Sequence, residues 1–570
     1  MRDEATLWIW EASASVRAKV AWLSCCQVAN SLCGVAYALM LRGLVDSAVA
    51  GDAAGFVAWV GATVALVASQ LLIHAIVRWL SELSRASLEN ALKLRLLDAL
   101  LHGDFGRVAA VHSGEWMNRL TSDTKVVADG VTDIVPGAAG MVAKLVGALV
   151  AAIWLDPRIA VVLLPGGAAL ILSSFLFRRV LRRLHQQIQR ADGRLRSFLQ
   201  DGLGSLLTVR SFAAEDAMLA GAGGLAGDHL DARMRRNRFS NLCNVGFGVA
   251  MTGAQLGTVV WCGYGILTGT MSFGTLTAMA QLVGQVQAPL ANISGYLPRW
   301  YAMLGSAERL SVAEGLVDGC ADALPLAEVR AMYEEEVSGV GLDDVSYAYW
   351  PVTEDVTGMS KDGASPAVEG VSMEARRGEF LALTGESGCG KSTSLRLLMG
   401  AYDPDDGQRY LLRRDGTRVP LDPSLRRLFA YVPQGNQLLG ATVREVVSLG
   451  NADAGSEDAR VWDALRVACA EGFVRDLEGG LDAPLGERGA GLSEGQTQRL
   501  AVARAIFSGS PILLLDEVTS ALDAPTEAQL LRNLRSLADT TVVVVTHRPA
   551  ALELCDRAIE FDEGGVHERP

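Results

Sequence analysis

The chain has 570 residues, of which 50% are apolar and 20% are charged, and its mean hydropathy is +0.24. This length exceeds that of one ordinary domain, and the apolar content excludes both a disordered chain and an average soluble enzyme. The net charge of −13 argues against a nucleic-acid-binding protein, so we expect no nucleic-acid partner.

The charge is unevenly divided along the chain. Residues 1–310 carry 27 Lys and Arg against 21 Asp and Glu, a net charge of +6, whereas residues 311–570 carry 24 against 43, a net charge of −19. This difference predicts two domains in different surroundings. The nine cysteines form no CxxC pair and show no regular spacing, so the sequence predicts neither a disulfide framework nor a zinc site.

Six apolar stretches in the first part of the chain are long enough to cross a bilayer core of about 30 Å. They lie at approximately 20–44, 56–80, 133–155, 158–177, 241–267 and 273–297. Several contain glycine, which lets membrane helices approach each other closely. We therefore predict an all-α transmembrane domain over residues 1–310, set in a lipid bilayer, then a connector at 311–340 and a second domain at 341–570.

The connections between these stretches differ in charge. The connection at 178–240 carries twelve arginines and that at 78–130 is also basic, whereas those near 45–55, 156–157 and 268–272 have almost no positive charge. Positively charged connections stay in the cytoplasm. Both termini and the second domain are therefore predicted to be cytoplasmic, in a plasma or bacterial inner membrane. Apolar residues at helical spacing predict that the two long connections form helical arms.

Four polar residues inside the predicted spans are candidates for contact with a substrate: His74, Lys144, Gln281 and Gln285. Polar groups in hydrocarbon are costly and face the bundle interior or a wet cavity. Pairing between helices is the alternative role, and the sequence leaves both open. A cationic residue facing a cavity would favour an anionic or polar substrate, but the sequence does not identify one.

A phosphate-binding motif stands in the second domain. Residues 385–392 match GxxxxGK[ST] between an apolar run and a helical stretch. The glycines let backbone N–H groups wrap around phosphates, and the helix N-terminus favours the negative charge. Lys391 is expected to reach the β- and γ-phosphates and the Ser392 hydroxyl to ligate Mg²⁺, so ATP and Mg²⁺ are the expected cofactors. The predicted ATP-binding residues of this motif are Gly385, Glu386, Ser387, Gly388, Cys389, Gly390, Lys391, Ser392 and Thr393.

A second apolar run, residues 512–515, ends in two carboxylates, Asp516 and Glu517. This pattern predicts a buried strand that delivers both acids to its carboxyl end. Asp516 is expected to hold Mg²⁺ through water, and Glu517 to orient or deprotonate the attacking water.

Between these motifs, residues 492–496 read Leu-Ser-Glu-Gly-Gln. With the flanking motifs, they make the second domain resemble the nucleotide-binding domain of an ATP-binding cassette (ABC) transporter. The whole chain resembles an ABC exporter half-transporter. The family sequence is LSGGQ, from which Glu494 departs at the third position. The resemblance implies that Ser493, Glu494, Gly495 and Gln496 contact ATP held by a second cassette.

The same resemblance implies roles for further residues. Tyr349 would stack on adenine, Gln434 would sense the metal and the attacking water, and His547 would contact the γ-phosphate. Gln434, His547 and Glu517 would be the catalytic residues, with Ser392, Gln434 and Asp516 at the metal. Ser520 and Asp523 would belong to the D-loop. The segment 351–368 is longer than is usual in the family and is predicted to be a polar surface loop.

The implied fold is a six-helix transmembrane domain followed by an α/β P-loop nucleotide hydrolase domain. Cassettes of this family pack head to tail in pairs, so we expect a homodimer or a heterodimer with a related chain. The expected activity is an ATPase coupled to export of an unidentified substrate by alternating access. An ATP-driven importer of exporter-like fold and an ATP-gated channel or sensor stay open as alternatives.

Overall fold

The computed structural model describes residues 2–316, 323–351, 359–361, 363–435, 438, 440–449, 458–486, 489, 491–537, 539–562 and 565–569. Side chains at 2–3, 159–179, 182, 287–295, 297 and 550 are outside the description. The chain divides into two compact units, Met1–Lys93 with Arg119–Leu310, and Leu94–Asn118 with Ser311–Pro570.

The first part of the chain is helical. Its helices are α1 (Arg2–Ala12), α2 (Arg17–Ala50), α3 (Ala53–His102), α4 (Phe105–Ala109), α5 (Ser113–Asn118), α6 (Thr124–Asp129), α7 (Val135–Leu155), α8 (Ala160–Gly204), α9 (Leu206–Ser211), α10 (Glu215–Leu267) and α11 (Phe273–Glu314). Two π-helical segments, Arg119–Asp123 and Gly130–Ile134, join α5, α6 and α7 end to end. The connections predicted as helical arms are helical, because α3, α8 and α10 continue well beyond their apolar parts.

Four helical stretches are long and apolar enough to cross a membrane within the described part of the chain. They are Ala14–Ala50, Ala53–His102, Ser113–Leu155 and Glu215–Leu267, and they contain the predicted spans 20–44, 56–80, 133–155 and 241–267. The predicted span 158–177 and part of 273–297 fall on residues whose side chains lie outside the description.

Small residues let the helices of the first unit pack closely. A Cβ added to Gly140 on α7 would lie 3.2 Å from both the Gln27 carbonyl oxygen and the Ser31 Oγ of α2. Ala38, Ala148 and Ala152 belong to one buried apolar cluster in the same unit. Packing of this kind stabilises membrane helices, since lipid supplies no hydrophobic force between them.

An ion pair between a buried carboxylate and a partly exposed arginine joins the first π-helical segment to α11. Arg309 Nε donates to Asp123 Oδ2 at 2.8 Å, and Ser306 Oγ donates to Asp123 Oδ1 at 2.8 Å. The Asp123 side chain is buried, so these partners compensate the cost of removing its charge from water. This contact fixes α11 to the α5–α7 helix.

The second unit contains two sheets and the remaining helices. Its strands are β1 (Val337–Ala348), β2 (Pro366–Arg376), β3 (Phe380–Gly385), β4 (Asp406–Arg413), β5 (Arg418–Pro420), β6 (Phe429–Val432), β7 (Ile512–Asp516), β8 (Thr541–Val545), β9 (Arg557–Asp562) and β10 (Gly565–Arg569). Its helices are α12 (Leu326–Glu335), α13 (Lys391–Leu398), α14 (Val443–Val447), α15 (Asp458–Val467), α16 (Glu471–Asp476), α17 (Glu494–Ser508), α18 (Ala524–Arg535) and α19 (Pro549–Leu552). β1 begins inside the predicted connector, four residues before the predicted domain boundary.

The larger sheet contains the strands that precede the predicted phosphate loop and the two carboxylates. Its strand order is β10-β9-β3-β8-β7-β6, with parallel pairing from β9 through β6, while the other sheet, β2-β1-β4-β5, is antiparallel. β3, β7 and β8 are apolar runs buried along nearly their whole length, as strands covered on both faces require. Their carboxyl ends meet at one edge, where an open parallel sheet binds its ligand.

Residues 94–118 belong to the second compact unit, although the sequence assigned them to the transmembrane domain. The Asp104 side chain caps α4 by accepting from the Gly106 N–H at 2.7 Å. The Phe105 ring centroid lies 5.6 Å from that of Tyr402, and the Asp104 N–H donates to the Leu316 carbonyl at 3.1 Å. These local contacts attach the end of the first long arm to the cassette.

Candidate nucleotide-binding and hydrolysis site

The phosphate loop connects β3 to α13. Gly385, Gly388 and Gly390 all have positive φ, at 131°, 91° and 97°. A Cβ on Gly385 would collide with the Phe561 carbonyl, and one on Gly390 with the Val368 side chain. Glycine is therefore required at both positions for conformation and for space. Glu386, Ser387 and Gly388 are exposed at the turn, where the backbone is open to a ligand.

Lys391 lies across this loop with its side chain buried. Its Nζ donates to the carbonyl oxygens of Gly385 at 2.7 Å and Glu386 at 2.6 Å, and lies 3.4 Å from Cys389 Sγ. The ammonium group is thus held inside the turn whose backbone N–H groups suit phosphate oxygens.

A hydrogen-bonded chain connects α13 to the end of β7. Ser392 Oγ donates to Asp516 Oδ1 at 2.8 Å, and Tyr431 OH donates to Asp516 Oδ2 at 2.9 Å. Arg396 Nε donates to the Tyr431 oxygen at 3.2 Å. Burial, and then the negative charge of Asp516, raises the pKa of Tyr431 to about 12. The phenol therefore stays protonated and keeps its hydrogen bond to the carboxylate at neutral pH.

The side chains of Glu517 and Gln434 lie next to each other. Gln434 Nε2 donates to Glu517 Oε2 at 2.7 Å. Glu517 has a φ of 52°, a left-handed conformation that non-glycine residues adopt at some cost. The strand thus ends in a turn that directs this carboxylate toward Gln434.

His547 follows β8, the strand between β3 and β7, and its side chain is exposed. The sheet therefore places it at the same edge as the phosphate loop and the β7 carboxylates.

Tyr349 follows β1 and belongs to an aromatic cluster beside α13. Its hydroxyl is 2.8 Å from Thr393 Oγ1, and its ring packs edge-on against Tyr402 with centroids 5.6 Å apart. The side chain is 41% exposed, which leaves ring surface available for stacking on a base. Thr393, the last residue of the predicted motif, thus has a positional role toward Tyr349.

The signature residues form the start of α17. Ser493 and Gln496 make a reciprocal capping box, with Ser493 Oγ accepting from the Gln496 N–H and Gln496 Oε1 accepting from the Ser493 N–H. Glu494 is exposed in the first helical turn, where a negative charge suits the helix dipole. A Cβ on Gly495 would lie 2.9 Å from the Ala521 carbonyl oxygen, so glycine lets the D-loop approach.

The D-loop is held from two sides. Gln498 Nε2 lies 3.2 Å from Ser520 Oγ, and the Ala521 N–H donates to Gln498 Oε1 at 3.3 Å. Arg548, next to the predicted switch histidine, donates to the carbonyl oxygens of Ser520 at 2.8 Å and Leu522 at 3.0 Å. Asp523 caps α18 by accepting from the Thr526 N–H.

The sequence interpretation missed Arg548, Gln498 and Tyr431 as parts of this site. Arg548 also forms an ion pair with Glu527, Nη1 to Oε2 at 2.7 Å, and the Glu527 side chain is only 2% exposed. Adjacency to His547 was the one available sequence signal for Arg548. Its partners lie more than twenty positions away, so no local pattern could have named them.

We expect Arg548→Ala to destabilise the cassette by about 2–3 kcal/mol, since it leaves the buried Glu527 carboxylate without its cation. ATP turnover should fall as well, because the D-loop loses two backbone hydrogen bonds. Thermal unfolding of the full chain and steady-state ATPase assays measure the two effects. Arg535→Ala is the matched control: its pair with Asp556 is exposed, at 45% and 42%, and should contribute under about 1 kcal/mol. Equal effects of the two substitutions would contradict the assignment.

The four predicted substrate residues occupy different environments in the first unit. Gln285 is buried and its Nε2 donates to the Gly34 carbonyl of α2 at 2.5 Å, a bond between helices. Lys144 is half-buried, and His74 and Gln281 are exposed. Their role toward a substrate stays a prediction.

The oxygen donors at the phosphate loop fit a hard divalent cation bound together with phosphate. Ser392 Oγ lies 2.8 Å from Asp516 Oδ1 at the end of β7. Gln434, which follows the neighbouring strand β6, has a side-chain amide oxygen. Mg²⁺ is commonly held by one or two such groups plus phosphate oxygens and water rather than by a full protein cage. Within the described residues no group of three or more His, Cys, Asp or Glu side chains could hold a metal ion.

A phosphate loop, a buried β7 aspartate and an adjacent glutamate on a parallel sheet define a P-loop nucleotide hydrolase domain. Here that domain follows long apolar helices in the same chain. Comparison with known families agrees: residues 22–290 match the family of the ABC transporter transmembrane region, and residues 368–520 match the ABC transporter family. The chain belongs to the ABC transporters, with one transmembrane region followed by one ATP-binding cassette.

Individual relatives are similar over most of the chain. ABC transporter B family member 1 of Dictyostelium discoideum is 26% identical over 506 residues, which are 87% of this chain and 53% of that protein. The ATP-dependent lipid A-core flippase of Chromobacterium violaceum is 28% identical over 555 residues, 94% of this chain and 88% of that protein. This chain thus spans about half the length of the Dictyostelium relative.

The fold has a solved counterpart. A bacterial Atm1-family ABC exporter with ATP bound superposes with a TM-score of 0.79 at 24% identity, covering 97% of this chain and 95% of that one. This similarity confirms the predicted fold, and the two family models confirm the resemblance to ABC transporters.

Proposed function

We propose that the chain is one half of an ATP-driven exporter that works as a dimer by alternating access. The observation that carries this proposal is the pairing of Gln434 Nε2 with Glu517 Oε2 at 2.7 Å, beside the linked Ser392 and Asp516. The chain therefore contributes both a hydrolytic carboxylate and the residue that orients water beside it. A hydrolytic pair favours a cycle driven by ATP turnover over a gate that responds to ATP binding alone.

In the proposed reaction, Ser392 and Asp516 would hold Mg²⁺, which would supply positive charge beside the phosphates. Lys391 supports the β- and γ-phosphates, and Tyr431 fixes the Asp516 carboxylate by its hydrogen bond. Gln434 orients the attacking water, and Glu517 accepts the proton that this water loses as the bond to the γ-phosphorus forms and the bond to ADP breaks. His547 contacts the γ-phosphate from the end of β8.

A dimer is supported by the placement of the signature and by exposed apolar surface. Ser493 and Glu494 are exposed at the start of α17, where they are available to a second cassette. The turn between α8 and α10 exposes Leu207 at 82% and Phe212 at 79%. Apolar side chains grouped at the end of an arm mark a contact surface, and we propose a second copy or a related chain as the partner.

Closure of two cassettes around ATP would drive the transport cycle. ATP can shift the equilibrium only by its greater affinity for the closed dimer, in which both the phosphate loop and the partner signature bind it. Residues 94–118 belong to the compact unit of the cassette and include the end of α3. We propose that movement of the cassette is passed along α3 to its membrane-spanning part. From the positive connections, we propose that the cassette and both termini are cytoplasmic, in a plasma or bacterial inner membrane.

The test is ATPase activity of the chain purified alone in lipid nanodiscs, with Glu517→Gln as the control. Activity that the substitution abolishes would support complete sites formed by two copies. Inactivity of folded, ATP-binding protein would contradict the homodimer and direct the search to a related partner chain. Screening of lipids, peptides and small polar compounds for stimulation, then for ATP-dependent flux in proteoliposomes, would separate export from import and from gating.

A further inference from the structure

Residues 352–358 and 362 of the predicted surface loop 351–368 lie outside the described residues, and those that are described are not all solvated. Pro366 already begins β2, and Lys361 is only 19% exposed. The Lys361 Nζ lies 2.6 Å from Asp405 Oδ1 and 4.0 Å from the centre of the Tyr347 ring. It is also 5.1 Å from the centre of the Trp350 ring. Lys361 therefore packs against the aromatic cluster, with its charge paired and facing ring surfaces.

Asp405, the partner of Lys361, fixes the end of β1. Its Oδ2 accepts from the Ala348 N–H at 2.8 Å, and its own N–H donates to the Ser346 carbonyl at 2.9 Å. Tyr349 is the next residue along the chain. Lys361 thus bonds the Asp405 carboxylate and compensates its negative charge. The same carboxylate holds the backbone of Ala348, and so the backbone from which Tyr349 extends.

Contacts between the rings of Tyr347, Tyr349 and Tyr402 also fix the position of Tyr349. Tyr347 stacks on Tyr402 with centroids 5.0 Å apart, and Tyr349 packs edge-on against Tyr347 at 5.4 Å. Tyr349 also packs against Tyr402, so a shift of Tyr347 would disturb both rings that orient Tyr349. Trp350 also lies 5.0 Å from the guanidinium of Arg107 on α4, so the cluster includes the helix at the end of the first arm.

We propose that Lys361 is a positioning residue for the base of bound ATP, acting through Asp405 and Tyr347 on the orientation of Tyr349. The inference rests on the proposed nucleotide site. It gives Lys361 a role in the affinity of the cassette for its nucleotide.

The test compares two ligands of the full chain in nanodiscs, with Glu517→Gln as the background to prevent hydrolysis. ATP presents both a base and phosphates, whereas inorganic tripolyphosphate presents phosphates alone. Aromatic stacking on a base is worth about 1–3 kcal/mol. We expect Lys361→Ala to weaken ATP binding by about fivefold or more, the fold-change at the low end of that range. Tripolyphosphate affinity should stay unchanged, and Lys361→Arg should restore ATP affinity.

A double substitution tests whether Lys361 affects ATP affinity through Tyr349. If Lys361 acts through Tyr349, Lys361→Ala should add no further loss of ATP affinity to Tyr349→Ala, whereas independent effects would multiply. Lys93→Ala is the matched control, because Lys93 also pairs with a carboxylate at 2.6 Å, but on α3 and outside this cluster.

Three results would overturn the inference: unchanged ATP affinity in Lys361→Ala, a parallel loss of tripolyphosphate affinity, or multiplying effects in the double variant. A background chain that bound neither ligand would overturn the proposed nucleotide site together with this inference. Failure of the nucleotide site is distinguishable from failure of the Lys361 inference, because it would be seen in the background chain that still contains Lys361.

Discussion

Replacing Glu517 with Gln is expected to lower ATP turnover at least about a hundredfold while ATP binding persists. The amide has nearly the same shape as the carboxylate, so the positive-φ turn after β7 and the neighbouring Gln434 are retained. It cannot accept the proton of the attacking water, and proton transfer by a positioned side chain contributes about 10²- to 10⁴-fold to rate. Phosphate release from purified protein at saturating ATP measures the loss, and retention of labelled ATP measures binding.

The control for this prediction is Glu553→Gln, which makes the same chemical change at an exposed position after α19. Its turnover should equal that of the unsubstituted chain. Retention of more than about a tenth of the activity in Glu517→Gln would remove Glu517 from the role of general base.

Lys391→Ala should act one step earlier, by removing ATP binding itself. The buried ammonium is held inside the phosphate loop, where it would make charge-assisted hydrogen bonds to phosphate oxygens. Two such bonds at about 1.5–3 kcal/mol each correspond to a loss of affinity of a hundredfold or more. Equilibrium binding of ATP, with tripolyphosphate as a second ligand, measures the effect, and both ligands should be lost together.

Lys125→Ala is the control for Lys391→Ala, since Lys125 is exposed on α6 and has no part in the loop. Unfolding must also be compared, because Lys391 bonds two carbonyl groups of the same turn. A folded Lys391→Ala protein with undiminished ATP affinity would contradict the assignment of the motif. Together the two substitutions separate binding from hydrolysis, because only Glu517→Gln should keep ATP bound.

Much of the nucleotide site could be predicted from the sequence because its motifs are short and local. The Gly385–Ser392 loop needs only a strand before it, glycines within it and a helix after it, and all three lie within about twenty residues. Asp516 and Glu517 end an apolar run, which by itself predicts a buried strand with acids at its carboxyl end. In the structure Ser392 Oγ donates a hydrogen bond to Asp516, and Gln434 donates one to Glu517.

The remaining interactions depend on pairs that are distant in the chain. Arg548 meets Ser520, Leu522 and Glu527, and Tyr431 meets Asp516 across 85 positions. An isolated arginine or tyrosine is compatible with many environments, so its sequence neighbours do not select one. Lys361 shows the same limit, since a polar stretch with glycine and proline predicts a surface loop whatever its lysine packs against.

The sequence by itself determined that this protein is an ABC transporter with a helical membrane domain and one ATP-binding cassette. Apolar segment length indicates the membrane domain, whereas the family follows from the resemblance of the motifs at 385–392, 492–496 and 512–517 to those of ABC transporters. Only the tertiary structure decided which side chains support the motif residues, and that residues 94–118 pack with the cassette. The reason is physical: burial and hydrogen bonding between distant segments depend on how strands and helices pack, and no local pattern encodes that packing.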